Sequence, residues 1–170
     1  MLLELGDLRV RSWHKGDLDA LVRHANNPRI AMNLRDQFPH PYKRRDGIDY
    51  LQYVAAQVPE TSFAIECSAE AVGGIGFLIG TDIARRTAET GYWLSEEYWG
   101  RGLVTRVVKA MVEWGFENYE LDRIFAQVFT RNPASIRVLE KVGFEREGLM
   151  RKSAIKNGVV VDQVLYAIVR

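Results

Sequence analysis

The chain has 170 residues, of which 47% are apolar and 26% are charged, the balance of an ordinary globular domain. Its net charge of +1 gives no general reason to expect a nucleic acid or an anionic membrane as a partner. The single cysteine, Cys67, excludes an intrachain disulfide and a cysteine-rich metal site, and the three histidines have no metal-ligand spacing.

The length predicts a single domain covering residues 1–170. The first residues lack the charged-then-apolar pattern of a signal peptide. No apolar run approaches the roughly 18 residues that a membrane helix needs. We therefore expect a cytoplasmic protein without a membrane segment.

The first part of the chain predicts one strand followed by helices. Residues 8–13 alternate apolar and charged side chains, which is typical of a strand. Helices are predicted over residues 17–25, 28–34 and 48–58, with the first ending before Pro28 and the third before Pro59.

The second part predicts strands separated by two helices. Strands are predicted over residues 63–67, 72–79, 87–94 and 123–129, and helices over residues 103–119 and 132–142. Gly73-Gly74 indicates a bulge. A final hairpin is predicted over residues 144–155 and 159–169, because Asn157-Gly158 is a strong signal for a two-residue turn.

This order predicts an α+β fold built on one mixed, mostly antiparallel sheet with helices on both faces. The first three strands of the second part form an antiparallel meander. The long helix then allows the strand at 87–94 to lie parallel to the strand at 123–129. If these central strands splay apart where the helix begins, a cleft opens at that point.

The stretch Gly100-Arg101-Gly102 lies between the strand at 87–94 and the long helix. Glycines permit a close backbone approach, and a helix N-terminus presents N–H groups and a positive dipole end. The stretch therefore predicts a phosphate site, although a tight turn without a ligand explains the same residues.

Several short motifs occur along the chain, and their order is informative. They are residues 38–42 (FPHPY), 89–94 (ETGYWL), 98–102 (YWGRG), 132–135 (NPAS), 138–144 (VLEKVGF) and the Asn157-Gly158 turn with Asp162 and Tyr166. With this ordered set the chain resembles the GNAT superfamily of acetyl-CoA-dependent N-acetyltransferases. It is most similar to the branch that acetylates N-terminal alanine and serine of ribosomal proteins.

The resemblance implies acetyl-CoA as co-substrate and no metal. The pyrophosphate would be held by Gly100, Arg101, Gly102, Leu103, Val104 and Thr105. Backbone groups of Trp93 and Leu94 would pair with the pantetheine amides, although sheet hydrogen bonding also explains these residues. The Asn132 side chain would contact the pantetheine, although an N-cap before Pro133 needs no ligand.

Two residues are candidates for the chemistry. Glu89 would act as the base that takes a proton from the amine, and a solvated strand glutamate is the alternative. Ser135 would stabilise or protonate the departing thiolate, and a structural serine in a first helical turn is the alternative. His40, Tyr42 and Asp162 are predicted to contribute to the acceptor site.

Departures from the family pattern leave the acceptor open. Glu97 stands where Gln or Arg is common, Arg106 stands where the branch has Glu, and Ala154 stands where an acid is expected in some N-terminal acetyltransferases. Three hypotheses follow. They are acetylation of a protein N-terminal α-amine, acetylation of a small amine (a polyamine, amino acid, amino sugar or aminoglycoside), and a CoA-binding module without turnover. Formation of a homodimer is left open.

Overall fold

The computed structural model describes all residues from Met1 to Arg170. Its strands are β1 (Leu2–Leu5), β2 (Leu8–Ser12), β3 (Ser62–Cys67), β4 (Glu70–Ile79), β5 (Thr87–Leu94), β6 (Arg123–Phe129), β7 (Glu145–Lys156) and β8 (Val159–Val169). Its helices are α1 (Leu18–Ala25), α2 (Pro28–Ala31), α3 (Arg44–Ala55), α4 (Leu103–Asn118) and α5 (Pro133–Val142). The chain forms two compact units, residues 1–76 with 92–103 and residues 77–91 with 104–170.

The strands are hydrogen-bonded in the order β1-β2-β3-β4-β5-β6-β8-β7. Of the paired strands with a described register, only β5 and β6 run parallel. The Gly80 N–H donates to the Thr87 carbonyl and the Ser95 N–H to the Val72 carbonyl, so β4 and β5 are antiparallel. The predicted α+β class with a mixed, mostly antiparallel sheet is confirmed.

In the first unit, strand β1 is an element that periodicity did not predict. Leu2, Leu3 and Leu5 surround a single acid, so no alternation is visible in these four residues. The strand forms because Gly6 adopts a φ of 75°, which lets a two-residue turn bring Leu5 opposite Leu8.

Helix α3 begins at Arg44, earlier than the predicted residue 48, and ends at Ala55 rather than residue 58. The early start follows from the Asp46 carboxylate, which accepts a hydrogen bond of 2.7 Å from the Lys43 N–H. Gly47 is needed where α3 meets α1, because a Cβ at this position would lie 2.8 Å from Leu18 Cδ1. The two helices pack on an apolar cluster that includes Trp13, Leu21, Tyr42, Leu51 and Val54.

The bulge predicted at Gly73-Gly74 lies one residue earlier. The β3–β4 register pairs Ile65 with Gly73 but Glu66 with Ala71, which leaves Val72 as the extra residue.

In the second unit, β5 and β6 pair only from Thr87 with Arg123 to Glu89 with Phe125. Strand β6 continues to Phe129 and pairs with β8 along its whole length. The parallel ladder therefore ends at Glu89. The predicted hairpin is confirmed, since Asn157 and Gly158 both have positive φ, of 51° and 76°.

A charged cluster in the first unit ties the start of the chain to strand β3. Arg11 donates to both carboxylate oxygens of Asp17, at 2.8 Å each, and to Glu66 at 2.5 Å. The Asp17 side chain is 4% exposed and that of Arg11 14%. Removing one partner of such a group leaves a charge with little access to water.

We predict that Asp17→Asn lowers the free energy of unfolding by about 3 kcal/mol, because Arg11 keeps Glu66 but loses a bidentate partner. Asp19 forms an exposed ion pair with Arg44, so Asp19→Asn is the matched control and should cost less than about 1 kcal/mol. Urea unfolding of both variants measures the difference. Equal losses would contradict a special role for the buried cluster.

Candidate active site

The glycine loop (Ser95–Gly102) connects β5 to α4 and carries the predicted phosphate site. Gly100 and Gly102 have φ values of 76° and 72°, which side chains with a Cβ rarely adopt. A Cβ at either position would have no atom within 4 Å, so glycine is needed here for conformation and not for space. The loop leads directly into α4, a helix of 16 residues whose N-terminus favours an anion.

The remaining predicted phosphate residues differ in exposure. The Arg101 guanidinium donates to the Glu97 carbonyl at 2.8 Å and lies 5.4 Å from the centre of the Tyr98 ring. Leu103 is buried, whereas Val104 and Thr105 are half-buried. Of these residues only Leu103 lies in the interior, and Arg101 is exposed.

The end of β5 is held in close contact with β4. A Cβ at Gly73 would lie 2.4 Å from the Trp93 carbonyl oxygen, so only glycine allows this approach. The Leu94 carbonyl accepts a hydrogen bond of 2.8 Å from the Trp99 indole N–H. Trp93 and Leu94, predicted to contact the pantetheine, are thus fixed in position by their neighbours.

Two predicted acceptor residues lie on the segment that follows α2. The Phe38 ring lies 5.5 Å from the Trp93 ring and 5.2 Å from the Tyr42 ring, so the three aromatic residues form one cluster. Tyr42 is buried, which raises the pKa of its phenol. His40 is exposed. Tyr42 therefore supports this segment as a buried residue, whereas the His40 side chain is accessible to solvent.

Four predicted site residues of the second unit are Glu89, Asn132, Ser135 and Asp162, and the structure joins two of them directly. Glu89 is half-buried at the last parallel pair of β5 and β6. Asn132 is the N-cap of α5, and its side-chain oxygen accepts a hydrogen bond of 3.2 Å from the Ser135 N–H. The structure thus brings Asn132 and Ser135 together at the start of α5, where the Asn132 N–H also bonds to the Phe129 carbonyl.

The fourth of these residues, Asp162, lies on β8. Its carboxylate accepts a hydrogen bond of 2.7 Å from the Lys152 N–H, where residues 151–153 of β7 lie opposite Asp162 alone. Its carbonyl accepts from the Thr130 N–H at 3.1 Å. Asp162 therefore stabilises an irregular stretch of β7. Tyr166 donates to Glu140 at 2.8 Å, and burial raises the pKa of its phenol.

Sequence reasoning missed the residues that hold the base of the glycine loop. His24 of α1 is buried, and its Nδ1 lies 2.9 Å from the hydroxyl of Ser95. Burial, followed by the nearby Arg23, lowers the pKa of this imidazole. No sequence pattern links residues 24 and 95, because the contact joins elements that are 71 residues apart.

The structure has no group of three or more His, Cys, Asp or Glu side chains arranged to hold a metal ion. None of its helices is long and apolar enough to cross a bilayer.

Comparison with known proteins identifies the family. Residues 7–145 match the acetyltransferase (GNAT) domain, so the chain belongs to the GNAT acetyltransferases and is an acyltransferase. The resemblance inferred from the sequence motifs is confirmed at the level of the family, and so is the GNAT-like fold.

Several curated relatives match most of the chain. The chain is 28% identical over 167 residues to uncharacterized N-acetyltransferase p20 of Bacillus licheniformis, covering 96% of this chain and 93% of that protein. It is also 28% identical over 153 residues to spermidine N(1)-acetyltransferase of Escherichia coli strain K12, covering 89% and 80%.

A solved structure with a similar fold is RimL, a ribosomal L7/L12 alpha-N-protein acetyltransferase in complex with coenzyme A. It aligns with a TM-score of 0.88 at 20% identity and covers 99% of this chain and 98% of RimL. At this identity the likeness shows the fold alone.

We predict that Gly100→Ala and Gly102→Ala each lower the free energy of unfolding by about 1 kcal/mol, because a Cβ disfavours a positive φ. Gly91→Ala is the matched control, since Gly91 lies in β5 without a positive φ and with nothing within 4 Å of an added Cβ. Urea unfolding measures all three. A loss for Gly91→Ala as large as for Gly102→Ala would contradict the conformational argument.

We also predict that His24 contributes to acid sensitivity. Because the folded-state pKa of His24 lies below its ordinary value of 6.5, the unfolded chain binds a proton that the folded chain lacks as pH falls below that value. Stability therefore decreases from about pH 6.5 down to the folded-state pKa. The groups that face the imidazole are Arg23, Glu70, Ser95, Glu97 and Tyr98.

His24→Asn should remove this part of the pH dependence, because the variant has no imidazole at this position. Urea unfolding at pH 7.5 and pH 5.5 measures it. If the free energy of unfolding fell equally between the two pH values in wild type and variant, His24 would not be the cause of the acid sensitivity.

Proposed function

We propose that the chain transfers an acetyl group from acetyl-CoA directly to a primary amine, and that the amine is the N-terminal α-amine of a peptide. The proposal that acetyl-CoA is the donor rests on Gly100 and Gly102. Both glycines have a positive φ, and they directly precede the N-terminus of α4. A diphosphate offers charge and several acceptor atoms to such a site. Membership of the GNAT family supports the same donor.

The donor contacts follow from the local geometry of each element. Backbone N–H groups of residues 100–105 bind the pyrophosphate, and the backbone of Trp93 and Leu94 pairs with the pantetheine amides. Because the Asn132 oxygen caps α5, the pantetheine contact of this residue falls to its amide Nδ2 group. Coenzyme A in the RimL complex is consistent with this proposal.

The reaction we propose needs no covalent enzyme intermediate. The amine nitrogen attacks the thioester carbonyl, a C–N bond forms, and the C–S bond breaks from the tetrahedral adduct. Glu89 accepts the proton that the amine loses, and Ser135 donates a hydrogen bond or a proton to the leaving thiolate. Backbone N–H groups near Trp93 and Leu94 stabilise the oxyanion.

The ionisation of the acceptor favours an α-amine. Near pH 7.5 roughly a third of α-amines are neutral, compared with about 0.1% of lysine-like amines. The candidate base is a single carboxylate on a half-buried strand position, which suits the less demanding acceptor.

Charge also disfavours a polycation. The acceptor segment 27–42 carries Arg35 and one acid, Asp36, besides Arg29, which pairs with Glu96, and the β7–β8 hairpin has more basic than acidic residues. A polyamine would be attracted by carboxylates, and neither segment gathers them.

A polyamine is nevertheless the second candidate, because the similarity to spermidine N(1)-acetyltransferase extends over 89% of the chain. The hypothesis of a CoA-binding module without turnover is set aside, since the family match and the named relatives support an acyltransferase.

An amine panel tests the proposal. The protein is incubated with acetyl-CoA and with short peptides that begin with Ala, Ser or Met, the same peptides with a blocked N-terminus and a free lysine, and spermidine. Release of free CoA thiol and the mass of the product are followed. Thiol release with open N-termini supports the proposal, and release with spermidine alone supports the polyamine. Binding of acetyl-CoA without release on any amine would contradict both.

We predict that Glu89→Gln lowers kcat/KM about 100-fold near pH 7 without changing the affinity for acetyl-CoA, because the variant keeps the size of the side chain but loses the base. The loss should shrink toward pH 9, where more of the amine is already neutral. Glu113→Gln on the exposed side of α4 is the matched control. An unchanged rate across pH 6–9 would reject Glu89 as the base.

A further inference from the structure

The base of the glycine loop is held by a buried polar contact from another element. His24 is 5% exposed and Ser95 is 4% exposed. The His24 Nδ1 atom lies 2.9 Å from the Ser95 Oγ atom. The Ser95 N–H also donates to the Val72 carbonyl at 2.8 Å. A buried hydroxyl and a buried ring nitrogen that satisfy each other fix both partners, because either one left alone is costly.

The orientation of the imidazole is fixed as well. Its Nε2 lies 3.4 Å from Glu70 and 3.5 Å from Arg23, which themselves form an ion pair. The Tyr98 ring packs edge-on against it, with ring centres 6.3 Å apart. His24 therefore contacts two residues of the glycine loop, at its first position and at its centre.

The next residue of the loop, Glu96, is held by two further side chains, and we call this pair of contacts the Glu96 clamp. Asn27 donates to one Glu96 carboxylate oxygen at 2.8 Å, and Arg29 pairs with the other. The Arg29 guanidinium also lies 5.9 Å from the centre of the Trp99 ring, and the Trp99 indole N–H bonds to the Leu94 carbonyl. Residues from the end of α1 to the start of α2 thus hold Ser95, Glu96 and Trp99.

The tip of the loop differs from its base. An added Cβ at Gly100 or Gly102 would find no atom within 4 Å, so the side on which a side chain would lie is open at both positions. Apart from the Arg101 contacts with Glu97 and Tyr98, the described contacts of the loop lie at its base, residues 95–99.

We propose that His24, Asn27 and Arg29 are positioning residues for the donor, holding the glycine loop in its binding conformation without touching acetyl-CoA. This inference rests on the proposed use of acetyl-CoA. A loop that is already ordered binds without the entropy cost of ordering, so loosening it weakens donor binding and raises the KM for acetyl-CoA. The chemical step on bound donor is unaffected, so kcat changes little.

The experiment compares variants by calorimetric titration with CoA and by steady-state kinetics. Ser95→Ala and His24→Gln remove the Oγ–Nδ1 contact, and each should raise the Kd for CoA and the KM for acetyl-CoA about tenfold. His24→Asn keeps a polar atom near the Nδ1 position and should stay near wild type. Glu96→Gln removes the ion pair with Arg29 and should raise the Kd about threefold.

Asp49→Asn is the control, since it breaks an exposed ion pair with Arg45 within α3 and should leave the Kd unchanged. Thermal unfolding of every variant shows whether it is folded at the assay temperature. If His24→Gln does not fold, Ser95→Ala and Glu96→Gln decide the question by the same measurements.

Two failures are distinguishable. A wild-type protein that does not bind CoA overturns the proposed donor and this inference with it. Normal wild-type binding, with folded Ser95→Ala and His24→Gln variants that bind CoA as wild type does, overturns the positioning role alone. A fall in kcat at an unchanged KM would also overturn it, since that pattern places the residues in the chemical step.

Discussion

The left-handed backbone at Gly100 and Gly102 is the constraint on which the proposed donor site depends. At these two positions the chain passes from the 3-10 turn after β5 into α4, and both have a positive φ that side chains with a Cβ rarely adopt. No atom lies within 4 Å of the place where a Cβ would stand at either glycine, and the loop is anchored further back, at Ser95 and Glu96.

Several predicted site residues also stabilise the fold. Asn132 caps α5, Asp162 holds an irregular stretch of β7, and Tyr42 belongs to the buried cluster of its unit. A structural contact uses only part of the hydrogen-bonding capacity of a side chain. The oxygen of the Asn132 amide caps the helix, for example, while its nitrogen remains a hydrogen-bond donor. A structural role therefore leaves room for the proposed functional role at such positions, and a variant there must be checked for folding before its kinetics are interpreted.

Local patterns predicted the regular elements well where the chain carries a local signal. Strands β5 and β6 have their predicted boundaries, and the Asn157-Gly158 turn forms as expected. Strand β1 was missed because three leucines in four residues show no alternation, and α3 was placed too late because its start is set by Asp46 and not by an apolar residue. Errors arose where a single hydrogen bond or one turn glycine decides the boundary.

The sequence by itself determined the family, the order of the elements and the glycine turn before a helix, because these depend on residue type and spacing along the chain. Only the tertiary structure decided which side chains hold the loop. The His24–Ser95 contact and the Glu96 clamp join residues about 70 positions apart, and their stability comes from burial and from mutual hydrogen bonding. Such contacts exist only after the elements have packed, so no pattern of neighbouring residues in the sequence predicts them.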